Sequence, residues 1–302
     1  MTNSHESSSL GWKKWVVGSR PRTLPAAFVP VAVGAASAAS VDNPQWWRAS
    51  LALVVSVALQ VGVNYANDYS DGVKGTDNDR VGPLRLVGSG VASASSVKRA
   101  AFFCFGIAAV AGLVLALVTT MWLIAVGVFA IVAAWTYTGG PRPYGYAGLG
   151  EVFVFLFFGV VATTGTEFVV AETFSLTGAI ASIAVGAIAC ALLVINNLRD
   201  IPGDTQAGKR TLAVKMGDLA TRKFFAFLIA VSFVAVIATS FTAGPFAMLG
   251  LVGVISLRPA IESVARGTKG GDLIAVLAMV GRGQIIFGVT YTIGLALALS
   301  SL

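Results

Sequence analysis

Long apolar runs separated by polar segments follow one another along this chain. Nine runs approach the roughly 20 residues that an α-helix needs to cross a bilayer. They cover residues 24–40, 48–66, 100–119, 121–138, 152–170, 175–196, 223–241, 244–260 and 284–302. Gly244 and Pro245 disturb the start of the eighth run, and residues 273–280 form a competing apolar stretch. The pattern predicts an all-α integral membrane protein, a nine-helix bundle spanning residues 24–302.

The composition supports a membrane protein. Of the 302 residues, 56% are hydrophobic and 12% are charged, whereas a soluble domain carries about 25% charged residues. The net charge of +7 lies at loop ends rather than in a soluble module, so no nucleic-acid partner is expected. Cys104 and Cys190 lie inside apolar runs, and His5 is the single histidine. The sequence therefore offers neither a disulfide framework nor a zinc site.

The basic residues are distributed very unevenly between the two sides of this bundle. Twenty of the 21 Lys and Arg residues fall on the side of the N-terminus, and the opposite side keeps only Arg48. By the positive-inside rule, the N-terminus and the long loops are cytoplasmic and the C-terminus lies outside. Residues 1–23 then form a cytoplasmic tail of a multi-pass protein of the cell membrane.

Two polar segments that end apolar runs stand out in this uncharged background. The first runs from Asn64 to Asp71 and on to Asp77, and the second from Asn196 to Asp204. Ionisable residues near membrane depth are costly and indicate function. Either segment alone is more simply a helix cap or the solvated start of a loop. Both, however, contain Asn-x-x-x-Asp followed by a further Asp on the cytoplasmic side, and this favours a shared site.

Helical spacing allows each segment to present its oxygens on one face. Gly72 and Gly75 are expected to loosen the first helix after Asp71, so that Asp77 reaches back from a loop. Pro202 and Gly203 predict that the second helix breaks near Asp204. The residues that share a face are Asn64, Asn67, Asp68 and Asp71 in the first segment and Asn196, Asp200 and Asp204 in the second.

Carboxylate and amide oxygens are hard ligands that suit Mg²⁺, which commonly links carboxylates to substrate phosphates. Cations that could contact phosphate oxygens surround both segments. They are Lys74, Arg80, Arg85, Arg142, Arg199, Lys209 and Arg210. The sequence therefore predicts a magnesium-diphosphate site in which metal and cations stabilise a departing pyrophosphate. Tyrosine rings, among them Tyr65, Tyr69 and Tyr137, could shield the resulting carbocation or simply pack.

These residues resemble the two Asp-rich motifs of the UbiA-type membrane prenyltransferase superfamily, whose members are nine-helix bundles. Further segments are similar to its menaquinone-pathway branch, the 1,4-dihydroxy-2-naphthoate polyprenyltransferases. They are Arg20-Pro-Arg-Thr-Leu-Pro25, Gly82-Pro-Leu-Arg85, Tyr137-Thr-Gly-Gly-Pro141, Gly148-Leu-Gly-Glu151 and Lys209-Arg-Thr211. Relative to the hydroxybenzoate branch, Gly75 stands where a third acid is expected and Asp77 replaces it, and a lysine near Arg142 is missing.

The resemblance implies Mg²⁺-dependent transfer of an isoprenyl chain from polyprenyl diphosphate to 1,4-dihydroxy-2-naphthoate, with loss of the carboxylate, to give demethylmenaquinone. It assigns Asp71, Asp77, Asp200 and Asp204 to catalysis. The implied metal ligands are Asn67, Asp71, Asp77, Asn196, Asp200 and Asp204. The implied substrate contacts are Asn67, Asp68, Lys74, Arg85, Tyr137, Arg142, Asn196, Lys209 and Arg210.

Two alternatives remain open at this point. The same chemistry could act on another aromatic acceptor, such as 4-hydroxybenzoate, homogentisate or a chlorophyll precursor. From a different class, a cation-coupled transporter would also place paired acids on opposed helices. The transporter is disfavoured because the outer halves of the helices are nearly all apolar, whereas a transport path needs polar residues across the whole bilayer.

Overall fold

The computed structural model describes residues 11–75 and 84–300 of the chain. Within these ranges it contains α-helices, short 3₁₀ turns and one π-helical segment, and no β-strand, which confirms the predicted all-α class. The helices are α1 (Lys13–Gly18), α2 (Pro25–Ser37), α3 (Trp46–Lys74), α4 (Ala94–Val118), α5 (Trp122–Thr136), α6 (Gly150–Val154), α7 (Ala162–Ala171), α8 (Leu176–Gln206), α9 (Leu212–Ala243), α10 (Gly250–Ile255), α11 (Arg258–Ala265) and α12 (Leu273–Leu299).

Several of these helices are long and apolar enough to cross a membrane. In the described part of the chain six pass this test, and a seventh span is possible if the pair Pro245–Ile255 and Arg258–Ala265, bent by 40°, counts as one. One of the six, Gly150–Ala171, joins α6 and α7 through the π-helical segment Phe155–Val161. The shorter apolar helices α2 and α5 coincide with the first and fourth predicted runs. The chain is thus a multi-pass membrane protein.

Two predicted boundaries were wrong. Helix α8 continues through Pro202 to Gln206 rather than breaking near Asp204. Helix α12 starts at Leu273, so the competing stretch 273–280 and the predicted ninth run form one helix. Gly281 and Gly283, which lie between the two stretches, are buried helical residues. A Cβ on Gly283 would lie 2.3 Å from Leu257 Cδ2, so this glycine allows α12 to approach its neighbour.

Helix α8 is the centre of the bundle. In its most apolar window 72% of the residues are buried, against 28% to 44% in the other five long spans. It packs against α9, and both belong to the largest apolar cluster together with α2 and α12. Where α8 crosses the π-helical segment, a Cβ on Gly159 would lie 2.5 Å from Gly186 Cα. The two backbones approach so closely that only glycine fits at this crossing.

Helices α3, α4, α5 and α7 complete the other side of the bundle. Tyr65 and Phe105 belong to an apolar cluster near the polar end of α3. Leu115, Val169 and Ala38 form a separate cluster at the opposite end. Between these two clusters lies a cavity that reaches from one end of the bundle almost to the other.

Candidate active site

The polar end of α3 presents three residues of the first segment to this cavity. Asn64, Asn67 and Asp71 all line it, as expected for positions spaced by three and four along a helix. Asn67 Oδ1 accepts a hydrogen bond of 2.8 Å from Thr138 Oγ1. Asn64 Nδ2 donates to the carbonyl oxygen of Ser19 at 2.8 Å. Buried amides are thus held by neighbouring segments, which fixes the orientation of this helix end.

Asp71 is the centre of the first cluster. Its side chain is buried, and Lys209 Nζ lies 3.1 Å from Oδ1. The guanidinium of Arg85 lies 3.6 Å from Oδ2, and the hydroxyl of Tyr146 donates to Oδ1. A buried carboxylate of this kind needs opposite charge and donors to compensate for lost solvation. The contacts place a carboxylate and two cations, which can hold metal and phosphate, within one small volume.

Helix α8 contributes the second segment to the same cavity. Asn196, Asp200 and Asp204 line it, which agrees with their spacing along a continuous helix. Arg199 holds Asp200 through two hydrogen bonds, Nε to Oδ1 at 2.7 Å and Nη2 to Oδ2 at 2.8 Å. Such a bidentate pair fixes the carboxylate and leaves the arginine able to exchange it for a phosphate.

Three tyrosine rings and a second lysine lie at or beside the polar end of the cavity. The centre of the Tyr146 ring lies close to two ammonium groups, 4.8 Å from Lys74 Nζ and 4.7 Å from Lys209 Nζ. Lys74 Nζ also donates to the carbonyl oxygen of Thr138 at 2.8 Å. Tyr137 and Tyr144 line the cavity and pack edge to face at 5.4 Å. Burial raises the pKa of both phenols, so they stay neutral and protonated at neutral pH.

The sequence analysis missed Tyr146 and Thr138. Neither lies near an Asp-rich segment: Tyr146 is 75 residues from Asp71, and Thr138 is 71 residues from Asn67. Thr138 is the threonine of the Tyr137-Thr-Gly-Gly-Pro141 motif, to which no contact was assigned, and the only signal for Tyr146 was its place in the same short connection between α5 and α6. Of the tyrosines proposed as shields, Tyr137 lines the cavity. Tyr65 instead donates to the Trp15 carbonyl at 2.7 Å, and Tyr69 stacks on Trp135.

The structure does not bring every predicted residue to the cavity. Both carboxylate oxygens of Asp68 accept backbone amides, from Leu86 at 2.8 Å and Val87 at 3.0 Å, so Asp68 anchors the loop that carries Arg85. Arg142 and Arg210 are exposed and do not line the cavity, nor does Lys74. Asp77 and Arg80 lie outside the described residues. Those that do line it are Asn67, Asp71, Arg85, Tyr137, Asn196, Asp200, Asp204 and Lys209.

Gly75 explains why the first cluster cannot continue along α3. It ends the helix in the left-handed region, with φ of 70°, and its amide bonds back to the preceding turn. This is a conformation that glycine adopts at helix ends without strain. An acid at this position would not continue the helical face that carries Asp71.

The oxygen donors fit a magnesium-diphosphate pair. In residues 11–75 and 84–300, no group of three or more His, Cys, Asp or Glu residues is close enough to hold a metal by itself. Asp71 and Asp200 sit on two helices that line one cavity, each next to a cation. A metal bound through one or two carboxylates and substrate phosphates is the arrangement that Mg²⁺ prefers. The donor set is therefore suited to a metal that arrives with a diphosphate.

The cavity combines this polar end with a long apolar arm. Its volume is about 1110 Å³, just above the range of roughly 300–1,000 Å³ that is usual for small-molecule sites. Away from Asp71 it is lined by α4, α5 and the helix Gly150–Ala171, with side chains that include Leu113, Ile124 and Phe157. The shape suits an amphiphile that has an anionic head and an extended hydrocarbon tail.

Comparisons with known proteins agree with this geometry. The model of the UbiA prenyltransferase family matches residues 27–280. A protein of Mycobacterium tuberculosis described as 1,4-dihydroxy-2-naphthoate octaprenyltransferase is 49% identical, covering 94% of this chain and 97% of its own length. An Escherichia coli protein with the same description is 40% identical over 71% of this chain and 72% of its own.

Solved structures share the fold. The apo structure of a UbiA homolog from Aeropyrum pernix K1 superposes with a TM-score of 0.70 at 17% identity, covering 90% of this chain and 97% of the other. A UbiA homolog from Archaeoglobus fulgidus, solved with DMAPP and Mg²⁺, gives a TM-score of 0.63 at 16% identity and covers 96% of this chain and 99% of its own. At this identity the likeness concerns the fold alone.

Proposed function

Because the chain belongs to the UbiA prenyltransferase family, we propose that it transfers an isoprenyl chain from polyprenyl diphosphate to 1,4-dihydroxy-2-naphthoate, as the described activity of its bacterial relatives suggests. The carboxylate leaves as carbon dioxide and the diphosphate as pyrophosphate, and the product is the hydroquinone form of demethylmenaquinone. The observation that carries the proposal is the convergence of Asp71, Asp200 and Lys209 at the polar end of one apolar cavity. That combination matches a substrate with a diphosphate head and a hydrocarbon tail.

The diphosphate binds between the two Asp-bearing helix ends. Mg²⁺, when bound, supplies charge neutralisation for the diphosphate, and Asn67, Asp71, Asn196, Asp200 and Asp204 offer the oxygens that would hold it. Asp77 remains a predicted further ligand outside the described residues.

Nearby cations stabilise the leaving group. Lys209 and Arg85 are fixed beside Asp71 and face the charge that develops on the pyrophosphate as the carbon–oxygen bond breaks. Lys74 is held next to them by Thr138 and Tyr146. Arg142 and Arg210, which the sequence also suggested as contacts, have exposed side chains outside the cavity lining, and we propose no role for them in binding the diphosphate.

The carbon centre of the reaction lies at the junction of the polar end and the apolar arm. Breaking the bond gives an allylic cation, and an electron-rich carbon of the dihydroxynaphthoate ring attacks it. Tyr137 and Tyr144 line this junction as neutral phenols and can face a cation with their rings. The apolar walls also exclude water, which would otherwise quench the cation.

The orientation in the membrane follows from the distribution of charge. We propose nine crossings: the six long helices, the bent pair, α2 and α5. The positive-inside rule places residues 1–23 and the Asp-bearing helix ends in the cytoplasm and the C-terminus outside. A water-soluble acceptor and Mg²⁺ then reach the site from the cytoplasm, while the tail of the donor stays at membrane depth.

A panel assay tests the reaction and its acceptor together. Purified protein receives a labelled allylic diphosphate, Mg²⁺ and one of three acids: dihydroxynaphthoate, 4-hydroxybenzoate or homogentisate. We expect product with dihydroxynaphthoate, and none after chelation of the metal with EDTA. Removing a preorganised charge typically costs about 10²–10³-fold in rate, so Asp71→Asn and Asp200→Asn should lose at least that much.

Two outcomes of this assay would contradict the proposal. Product with hydroxybenzoate but not with dihydroxynaphthoate would assign the chain to another acceptor. No product with any acid, together with substrate-independent cation flux in proteoliposomes, would favour the transporter.

A further inference from the structure

The apolar arm of the cavity extends far beyond the reacting atoms. Its lining includes Leu115 near the end of α4, Leu123 at the start of α5 and Val169 near the end of α7. Two of these, Leu115 and Val169, belong to the apolar cluster at the end of the bundle away from Asp71. The arm therefore reaches the distal ends of three helices, where distal means remote from the Asp-bearing helix ends.

Three glycines line this distal part of the arm, one on each helix. Gly112 lies six residues before the last residue of α4, and Gly127 lies five residues after the first residue of α5. Gly165 lies six residues before the last residue of α7. With a rise of about 1.5 Å per residue, each is roughly 8–9 Å from the distal end of its helix. The three glycines, here called the glycine collar, thus lie at one depth.

Close helix packing does not explain the collar. A Cβ on Gly127 or Gly165 would meet no heavy atom within 4 Å, and one on Gly112 would meet only Val55 Cγ2 at 4.0 Å. By contrast, a Cβ on Gly159 would lie 2.5 Å from the backbone of a neighbouring helix. Each glycine in a helix costs about 0.5–1 kcal/mol relative to alanine. What the three positions share is that the missing side chain leaves the cavity open.

We propose that the glycine collar keeps the arm open at this depth and so allows the protein to accept long isoprenyl chains. The proposal rests on the proposed function, because it assumes that the arm holds the tail of the donor. Side chains at Gly112, Gly127 and Gly165 would project into the arm from three directions and close it at a single depth. The collar lies on the order of 20 Å along the helix from Gly150 to Gly165, a span that includes the π-helical segment and exceeds the reach of a tail of two isoprene units.

Leucine variants test the proposal with a control on α4, the helix that carries Gly112. Gly112→Leu, Gly127→Leu and Gly165→Leu are compared with Gly106→Leu. Gly106 is exposed on α4, meets no heavy atom within 4 Å and does not line the cavity. Each variant is assayed with geranyl diphosphate and with octaprenyl diphosphate. Because misfit in an apolar pocket costs about 10-fold or more, the ratio of kcat/KM for the long donor over the short one should fall by at least that factor in the collar variants only.

A second measurement separates this proposal from the choice of acceptor. Thermal stabilisation by each diphosphate with Mg²⁺, measured without any acceptor, should show the same loss for the long donor. The proposal is overturned if the ratio is unchanged in all three collar variants or falls equally in Gly106→Leu. If a leucine variant does not fold, a variant with alanine at all three collar positions replaces it. The ratio of kcat/KM for the long donor over the short one should again fall relative to the control. Failure of dihydroxynaphthoate as acceptor leaves the binding measurement intact and so contradicts only the proposed function.

Discussion

At the scale of single residues, the site depends on a few charges held by specific partners. Asp71 contacts Lys209, Arg85 and the hydroxyl of Tyr146, and Asp200 is held by its neighbour Arg199. These ion pairs compensate the buried charges within the protein itself: each of these carboxylates pairs with a cation, and each of these cations pairs with a carboxylate. A diphosphate and its metal can therefore enter by exchange of partners rather than by exposing uncompensated charge.

Lys209 should matter far more than the two exposed arginines nearby. We expect Lys209→Met to lower kcat/KM for the donor by about 10²-fold or more, because a preorganised cation is lost next to the leaving group. Arg142→Met and Arg210→Met serve as matched controls. Since their side chains are exposed and outside the cavity lining, the expected change is about twofold or less.

Steady-state kinetics with varied donor measures these effects, and a thermal melt of each variant excludes misfolding. A loss in Arg142→Met as large as that in Lys209→Met would show that the α5–α6 connection closes over the diphosphate and would contradict the assignment of Lys209 as the principal cation.

Most of the Asp-bearing positions could be predicted because a helix face follows from spacing alone. Asn67, Asp71, Asn196, Asp200 and Asp204 all line the cavity as expected. Asp68 satisfies the same spacing, yet its carboxylate accepts the amides of Leu86 and Val87. Sequence spacing predicts the side of a helix on which a residue lies. It does not predict which neighbouring segment packs against that side.

At the scale of elements, the bundle relies on glycines that let backbones touch. The π-helical segment Phe155–Val161 widens one turn of the helix Gly150–Ala171 and crosses α8 at Gly159 and Gly186. Sequence alone could not place this segment, because its residues read as an uninterrupted apolar run. The start of α12 was missed because residues 273–280 were assigned to a competing apolar stretch, whereas Gly281 and Gly283 continue the same helix and Gly283 packs closely against Leu257.

Alanine at Gly159 should destabilise the bundle. The added methyl group would lie 2.5 Å from Gly186 Cα, and overpacking of this kind costs about 1–3 kcal/mol. Gly106→Ala is the control, because no heavy atom lies within 4 Å of its Cβ position and alanine is the better helix former. Thermal unfolding in detergent should show a lower Tm for Gly159→Ala and an equal or higher Tm for Gly106→Ala. If Gly159→Ala and Gly106→Ala had the same Tm, the helix crossing would accommodate the added methyl group without loss of stability, and the prediction would be wrong.

At the scale of the whole molecule, the distribution of basic residues is the basis of the proposed orientation. The single basic residue of the opposite side, Arg48, is buried and pairs with Glu172 at 2.5 Å while donating to the Val169 carbonyl at 3.2 Å. This pair ties the start of α3 to the end of α7. Arg48 is thus a structural link at the distal end and does not contradict the charge rule.

Cysteine labelling in cells measures the orientation. In a background with Cys104→Ala and Cys190→Ala, single cysteines replace Phe174, which is 65% exposed, or Arg266, whose side chain is 75% exposed. A membrane-impermeant maleimide should label Phe174→Cys in intact cells and Arg266→Cys only after permeabilisation. The reverse pattern would place the Asp-bearing helix ends outside and rule out a cytoplasmic site.

The contact between Asp71 and Lys209 has a consequence for biosynthesis. The two residues are 138 positions apart in the chain. A ribosome that adds about 5–20 residues per second needs roughly 7–28 seconds to pass from one to the other. The carboxylate of α3 is therefore made, and its helix inserted, long before α8 and the lysine that follows it exist. The site must close late, after the central helix has entered between segments already in the membrane, and a nascent chain arrested before α8 would carry half a site and no catalytic centre.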